Sequence, residues 1–144
     1  MKFIYFIAAI FTILIVGMAC DTLQNLPTNT TGNLFSLNGS WKLSSTNDGN
    51  ALVGSTITVY PLAGNAVVKS IANNTYCIRK NDEMWKTVKS NGGGGFTISS
   101  LVSACNDATV YKDGAITVVA NDKITVNSLT INNKPLIQTW LRSK

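Results

Sequence analysis

The chain has 144 residues, with 12 Lys and Arg against 7 Asp and Glu, a net charge of +5 at pH 7, and no His. The absence of His excludes catalysis and metal binding through imidazole. The cations are spread singly along the sequence, whereas a nucleic-acid site needs them clustered on one face with aromatic side chains between them. We therefore expect no nucleic-acid partner, and with the acids also dispersed we expect no metal site and no cofactor.

Residues 1–19 have the pattern of an export signal. Lys2 precedes an apolar run that ends at Cys20, and the run is shorter than the roughly 20 residues that span a bilayer comfortably. Because Gly17-Met18-Ala19 lies directly before the cysteine, the segment resembles a bacterial lipoprotein signal. That resemblance implies cleavage before Cys20 and a lipid on its sulfur. An ordinary signal peptide and an uncleaved anchor are the alternatives.

Residues 20–35 are predicted to form a flexible tether between lipidated Cys20 and a domain at residues 36–144. The stretch is rich in Thr, Asn, Gly and Ser and cannot bury enough apolar surface to offset its ordering entropy. Such a tether would hold the domain off the membrane. The absence of an acidic run after Cys20 favours the periplasmic face of the outer membrane over the cell surface.

From residue 36 onward, apolar and polar residues alternate in short runs, which is typical of half-buried strands. The alternation includes Trp41 and Leu43, Ile57 and Val59, Val67 and Lys69, Tyr76 and Ile78, Trp85 and Thr87, Phe96 and Ile98, Val110, Ile116 and Val118, Ile124 and Val126, Leu129 and Ile131, and Leu136 to Arg142. Clusters of Asn, Asp and Gly between the runs suit tight turns. We predict an all-β domain, an antiparallel up-and-down meander of about eight to ten strands that closes into a small β-barrel and so removes its edges.

Cys77 and Cys105 remain as a pair if Cys20 carries the lipid. In an oxidising envelope we expect them to form a disulfide, which would stabilise the fold by roughly 3 to 4 kcal/mol. Two free core thiols and a reactive cysteine are the alternatives. The reactive alternative is disfavoured because the chain has no His to act as a base.

The two ends of the meander carry residues found in a known family. Gly39-Ser40-Trp41 lies on the first strand and Trp140-Leu141-Arg142 on the last, and the stretch from Trp85 to Cys105 also looks like the middle of those domains. The chain resembles the small lipocalin-like lipoproteins of bacteria, especially those of the Bacteroidetes. The resemblance implies a lipocalin-like barrel whose closed end is built from Gly39, Trp41, Trp140 and Arg142, with the Arg142 cation lying across Trp41.

The resemblance also implies a function, the non-catalytic binding of a small hydrophobic or amphipathic ligand. The candidate pocket residues are Val59, Val67, Tyr76, Trp85, Phe96, Ile98 and Ile116. The alternative is a filled barrel that serves as a structural or accessory subunit and binds a protein partner in the envelope, which a continuous apolar patch on the outer wall would favour. An enzyme is not expected, since no general base or activated nucleophile can be named.

Two further motifs are interpreted as turns. Gly92 to Gly95 invites comparison with a phosphate-binding loop, but no Lys-Ser or Lys-Thr follows and Phe96 begins a strand, so we expect a hairpin loop. Asp82 and Glu83 are adjacent and would point to opposite faces of a strand. They therefore cannot act as a paired acid and base, and we expect a charged turn.

Overall fold

The computed structural model describes residues 35–144, without the side chain of Asp107. The predicted export signal, the lipidation site Cys20 and the tether up to residue 34 lie outside the described residues. The described chain is all-β, and its eight antiparallel strands form a closed barrel, which confirms the predicted fold class. The strands are β1 (Gly39–Thr46), β2 (Thr56–Tyr60), β3 (Asn65–Ser70), β4 (Glu83–Ser90), β5 (Gly95–Ser103), β6 (Val110–Ala120), β7 (Lys123–Leu129) and β8 (Pro135–Arg142), and a short 3-10 turn at Cys105–Asp107 follows β5.

Each strand pairs with the next along the chain, and β8 returns to pair with β1. The closing register places Trp41 opposite Arg142 and Leu43 opposite Trp140. Closure leaves no sheet edge open to pair with another chain. The same register brings together the first-strand and last-strand residues that carry the family resemblance.

The connection between β3 and β4 differs from the prediction. Tyr76 and Ile78 were expected to alternate on a strand, but this part of the chain is an irregular loop. Cys77 and Asn81 adopt positive φ angles of 58° and 72°, which are incompatible with an extended strand. The apolar residues of this loop pack onto the end of the barrel and do not extend its wall.

The barrel interior is filled by apolar side chains from alternate strand positions. Trp41, Trp85 and Trp140 are all fully buried, and the Trp85 and Trp140 rings meet edge to face with their centroids 5.4 Å apart. The strand pairing lies within residues 39–142 and this core within residues 35–140. All eight strands of the closed barrel therefore lie within residues 35–144, and we expect a chain that begins at residue 21 to fold.

The two ends of the barrel are built differently. The N-terminal end comprises residues 35–38, the turns at 61–64, 91–94 and 121–122, and the last residues 143–144, whereas the disulfide end comprises the longer connections at 47–55, 71–82, 104–109 and 130–134. Phe35 and Leu37, each 2% exposed, cross the N-terminal end. Leu52 and Ile78, each 1% exposed, fill the disulfide end. The composition around Phe35 placed this residue in the predicted tether, whereas the structure places it in the core.

Candidate functional site

Most of the predicted pocket residues pack in the core. Val59, Trp85, Phe96, Ile98 and Ile116 are at most 6% exposed and belong to one hydrophobic cluster that also contains the other two tryptophans. Close packing of large aromatic and branched side chains is how a small eight-stranded barrel fills its interior. These residues therefore stabilise the barrel interior and do not enclose a pocket within it, although Phe96 also lines a cleft at the barrel end.

Two predicted pocket residues lie elsewhere. Val67 is half-exposed on the outer wall, because its neighbours Ala66 and Val68 occupy the inward positions of β3. The prediction that Val67 points inward was therefore wrong. Tyr76 lies in the loop at the disulfide end, where its hydroxyl donates a hydrogen bond to Asp48 Oδ2. The predicted set is thus divided among the core, the outer wall and one barrel end.

The interior also contains polar groups that the apolar alternation does not predict. Gln138 is 4% exposed on β8 and accepts a hydrogen bond of 3.3 Å from Trp140 Nε1. Among the described residues, Trp85 Nε1 and Ser128 Oγ are buried without a hydrogen-bond partner. An unpaired buried polar group costs roughly 1 to 3 kcal/mol, so this interior is less stable than a fully apolar one of the same shape.

A charged side chain closes the N-terminal end. The Arg142 guanidinium lies 4.3 Å from the Trp41 ring centroid and donates hydrogen bonds to the carbonyl oxygens of Ser36 at 2.5 Å, Asn38 at 2.8 Å and Asn121 at 3.0 Å. It therefore ties the crossing segment and the turn between β6 and β7 to the end of β8. Burial lowers the pKa of Arg142, but a guanidinium stays charged at neutral pH.

Gly39 fits against this closure because it has no side chain. Its φ of 117° favours glycine, and a Cβ at this position would lie 3.2 Å from Arg142 Nη1. Trp41 and Arg142 are in direct contact, as the family resemblance implies, and Gly39 lies beside the guanidinium. Trp140 is one layer further in, against Trp85 and Gln138.

An apolar cleft of about 480 Å³ opens beside this closure. Its lining residues come from the crossing segment, the turn between β2 and β3, and the start of β5: Phe35, Ser36, Leu37, Asn38, Tyr60, Pro61, Leu62 and Phe96. The Phe35 and Phe96 rings pack with their centroids 6.3 Å apart at the back of the cleft. A concave, mainly apolar site of this size fits a small ligand with an apolar body.

Little in the sequence pointed to this cleft. Phe35 and Leu37 alternate with polar residues for too short a stretch to predict a packed segment. Pro61-Leu62 falls in a turn, where an apolar residue normally has no partner. The pairing of an aromatic residue with a leucine immediately before Gly39 and Trp41 was the signal that could have placed this segment against the barrel.

The disulfide end also has a surface depression, but its chemistry is different. Cys77 and Cys105 form the disulfide that was predicted, which links the loop before β4 to the turn after β5. A concavity of about 470 Å³ beside it is lined by Asp48, Gly49, Asn50, Ala51, Asn73 and Thr75. Burial, together with the hydrogen bond to Asp48 and its charge, raises the pKa of the Tyr76 hydroxyl. This end is polar and lacks the aromatic lining of the cleft.

The glycine run is a hairpin turn, as predicted, whereas of the acidic pair only Asp82 lies in a turn, because Glu83 begins β4. Asn91 Oδ1 accepts hydrogen bonds from the backbone N–H groups of Gly93 at 3.0 Å and Gly95 at 3.1 Å. Two amides of the glycine run are therefore engaged by the turn itself. Asp82 accepts a 2.7 Å hydrogen bond from the backbone of Arg79 and so holds its own turn.

The described residues form no cluster of metal-ligating side chains. Within residues 35–144, no group of three or more Cys, Asp and Glu side chains is arranged to hold a metal ion. In the same part of the chain, no helix is both long enough and apolar enough to cross a bilayer.

Comparison with known proteins identifies no relative. No protein-family model matches the chain, no curated protein matches it significantly, and no solved structure matches it significantly. The function is therefore inferred from the barrel and from the chemistry of its two ends.

Proposed function

We propose that this protein is a lipid-anchored cell-envelope lipoprotein, related to the lipocalin-like lipoproteins of bacteria, that binds a small apolar or amphipathic molecule without catalysing a reaction. The observation that carries the proposal is the apolar cleft at the N-terminal end, with its volume of about 480 Å³ and its lining of Phe35, Leu37, Tyr60 and Phe96. The proposed binding site therefore lies beside the barrel closure and outside the packed interior.

The shape of the cleft suits a ligand with an apolar body and a polar or anionic end. Aromatic rings form its back, whereas cations lie at its sides: Lys69 Nζ is 6.0 Å from the Tyr60 ring centroid, and the Arg142 guanidinium is 6.0 Å from the Phe35 ring centroid. Transfer of an apolar chain from water to such a cleft is favourable by about 25 cal/mol per Å² of apolar surface buried.

The proposed location is supported by the disulfide, since bonds of this kind persist in the periplasm and other oxidising compartments. An anchor at Cys20 on the outer membrane, facing the periplasm, is the arrangement that we propose for the whole chain. The proposed absence of catalysis is supported by the lack of any His in the sequence. Binding alone needs only the concave apolar surface.

The proposal is tested by native mass spectrometry on residues 21–144, expressed through the periplasm so that the disulfide forms. We expect a reproducible added mass of a few hundred daltons, typical of a ligand that fills a cleft of this size. Tyr60→Glu places a charge in the cleft lining and should abolish the adduct. Ile137→Glu is the matched control, since Ile137 is 45% exposed on the outer wall and Tyr60 is 41% exposed.

A titration with dodecanoate by calorimetry complements the adduct measurement. Saturable binding to the wild type and to Ile137→Glu, with at least tenfold weaker binding to Tyr60→Glu, is the expected result. A clean mass together with no saturable binding of dodecanoate would overturn the proposal, and so would equal loss in both variants.

A second candidate function is supported by the outer wall of the β7–β8 hairpin. Leu129, Ile131 and Ile137 are 38%, 48% and 45% exposed, and Leu129 pairs directly with exposed Pro135. A group of apolar side chains on an outer wall is typical of a protein-binding surface. This patch favours an accessory subunit that binds an envelope protein. A photo-crosslinking residue at Ile137, compared with one at exposed Thr97 on β5, tests it: crosslinks at Ile137 alone are expected.

A further inference from the structure

The two barrel ends differ in net charge. With the two strand residues on each side of every connection included, the N-terminal end has four cations and one acid: Lys89, Lys123, Arg142 and Lys144 against Asp122. By the same count of sequence positions the disulfide end has four cations and four acids: Lys69, Arg79, Lys80 and Lys134 against Asp48, Asp82, Glu83 and Asp107. Of these cations, Lys69 extends its ammonium group away from that end, toward Tyr60. The positive charge of the barrel is therefore concentrated at the N-terminal end.

The same end carries the most exposed apolar side chain of the described residues. Leu62 is 106% exposed at the tip of the turn between β2 and β3. Its neighbours Pro61 and Ala63 are apolar, and Tyr60 beside the turn is 41% exposed. A projecting apolar tip at an end rich in exposed lysines is the combination that suits a membrane interface, where acyl chains accept the apolar group and headgroups accept the cations.

The path of the chain is consistent with this orientation. The segment that leads back toward Cys20 joins the barrel at Phe35, on the N-terminal end. Under the anchor that we propose at Cys20, this end is the one tethered to the bilayer. A tether raises the effective concentration of the surface at the membrane, so weak direct contacts become sufficient. This step and the passage of a ligand between membrane and cleft rest on the proposed function; the contact with lipid does not.

We propose that the N-terminal end of the barrel lies against an anionic lipid surface. Leu62 inserts among the acyl chains, and the ammonium groups of Lys89, Lys123 and Lys144 contact the lipid phosphates. All three lysines are exposed, whereas Arg142 is engaged by backbone carbonyls and holds the end closed. In this orientation the apolar cleft opens toward the bilayer, so an amphipathic ligand passes between membrane and cleft without crossing water.

The test is sedimentation of residues 21–144, which lack Cys20 and hence any lipid anchor, with phospholipid vesicles. Vesicles of phosphatidylglycerol and phosphatidylethanolamine are compared with vesicles of phosphatidylcholine. The wild type should bind the anionic vesicles and not the neutral ones. A triple variant, Lys89→Glu, Lys123→Glu and Lys144→Glu, should weaken binding about 100-fold, as expected when three cations leave an anionic surface.

A matched triple variant separates the position of the charges from their number. Arg79→Glu, Lys80→Glu and Lys134→Glu change the net charge by the same amount at the disulfide end. Because salt screens exposed charges beyond about 10 Å, this variant should lose no more than about threefold in affinity. Near-ultraviolet circular dichroism checks that both variants are folded.

A second matched pair tests the apolar contact. Leu62→Glu at the N-terminal end should reduce vesicle binding at least tenfold, whereas Ile131→Glu in the turn at the opposite end should leave it unchanged. Equal loss from the two triple variants, equal loss from the two single variants, or equal binding of the wild type to both vesicle types would overturn the inference. Dodecanoate binding in solution needs no bilayer, so failure of this inference is distinguishable from failure of the proposed ligand site.

Discussion

The two ends of this barrel are closed by different chemistry. At the disulfide end, long connections fold over the barrel, Leu52 and Ile78 fill it, and a covalent bond joins Cys77 to Cys105. At the N-terminal end the turns between strands are short, and closure depends on the crossing segment that Arg142 holds by hydrogen bonds to backbone carbonyls. One end is fixed covalently and the other by non-covalent contacts.

That difference accounts for the apolar lining of the cleft at the N-terminal end. A segment held by hydrogen bonds and one cation–π contact can lie across the barrel without sealing it, and it leaves apolar side chains of Phe35 and Phe96 beside open space. At the disulfide end the comparable concavity is lined by Asn, Asp and Thr. The covalent bond is thus at one end, and the apolar cleft that we propose binds a ligand is at the other, as is common where loops on a rigid scaffold carry function.

Loss of the disulfide should lower the free energy of unfolding more than substitution of Arg142, Tyr76 or Thr87. Replacement of Cys77 and Cys105 together by Ser should reduce the free energy of unfolding by about 3 to 4 kcal/mol, because the bond closes a long loop in the unfolded chain. Urea unfolding measures this change. The double variant should still bind dodecanoate below its unfolding transition, since the cleft is at the other end. Loss of binding in the folded variant would show that the two ends are coupled.

A smaller loss of stability is expected from a substitution at the N-terminal end. Arg142→Met should destabilise the barrel by about 2 to 3 kcal/mol, because three carbonyl groups lose a charged donor and Trp41 loses its cation. Arg79→Met at the disulfide end removes an exposed cation and should stay within about 0.5 kcal/mol of the wild type. Thermal unfolding of the two variants compares them. Equal destabilisation would contradict the role assigned to Arg142.

The Tyr76 hydroxyl should contribute less to stability than the Arg142 guanidinium does. Tyr76→Phe removes its hydrogen bond to Asp48 and should cost about 1 kcal/mol at neutral pH. The pKa of Tyr76 is raised in the folded state, so the folded protein holds this proton more tightly than the unfolded chain, whose tyrosines titrate near pH 10. The contribution is therefore complete below about pH 10 and is lost as the pH rises further.

The pH dependence distinguishes this hydrogen bond from simple packing. Unfolding curves of wild type and Tyr76→Phe, measured at intervals from neutral pH to above pH 10, should converge at the alkaline end. A constant difference across that range would show that the hydroxyl acts only by packing.

The smallest effect is expected to be stabilising. Thr87 has a φ of 50°, in the left-handed region that a β-branched residue adopts only with strain, where the β4–β5 pairing shifts register. The irregularity lets Val88 donate a 2.8 Å hydrogen bond to Gly64 in the turn that borders the cleft. Thr87→Asn should stabilise the fold by about 0.5 to 1 kcal/mol, since Asn tolerates this region. Thermal unfolding measures the sign of the stability change, and a destabilised variant would show that Thr87 is not strained.

Much of the barrel could be predicted from the sequence. Alternation with a period of two, together with turn residues between the runs, specifies an antiparallel meander, and the pair of Trp41 and Arg142 falls where the closing register joins the first and last strands. The disulfide followed from the number of cysteines. These features depend on local pattern and residue type, both of which can be read directly from the sequence.

The proposed binding site could not be predicted in the same way. Alternation shows which face of a strand is buried, but it does not show whether the inward side chains meet or enclose a space. In Ala66-Val67-Val68 every residue is apolar, so the pattern does not distinguish inward from outward positions, and Val67 lies on the outer wall. The cleft depends on how residues 35–38 cross the barrel end, a tertiary arrangement that the short alternation of Phe35 and Leu37 does not specify.

We propose that the ligand binds at the N-terminal end, and amide chemical-shift mapping with dodecanoate would locate the site. Residues 21–144 labelled with ¹⁵N would be titrated while every assigned amide is followed. We expect saturable shifts at Phe35, Leu37, Tyr60 and Phe96, with the amides of Ala51, Asn73 and Thr75 at the disulfide end unmoved. Shifts confined to the disulfide end, or no saturable shifts at all, would contradict it.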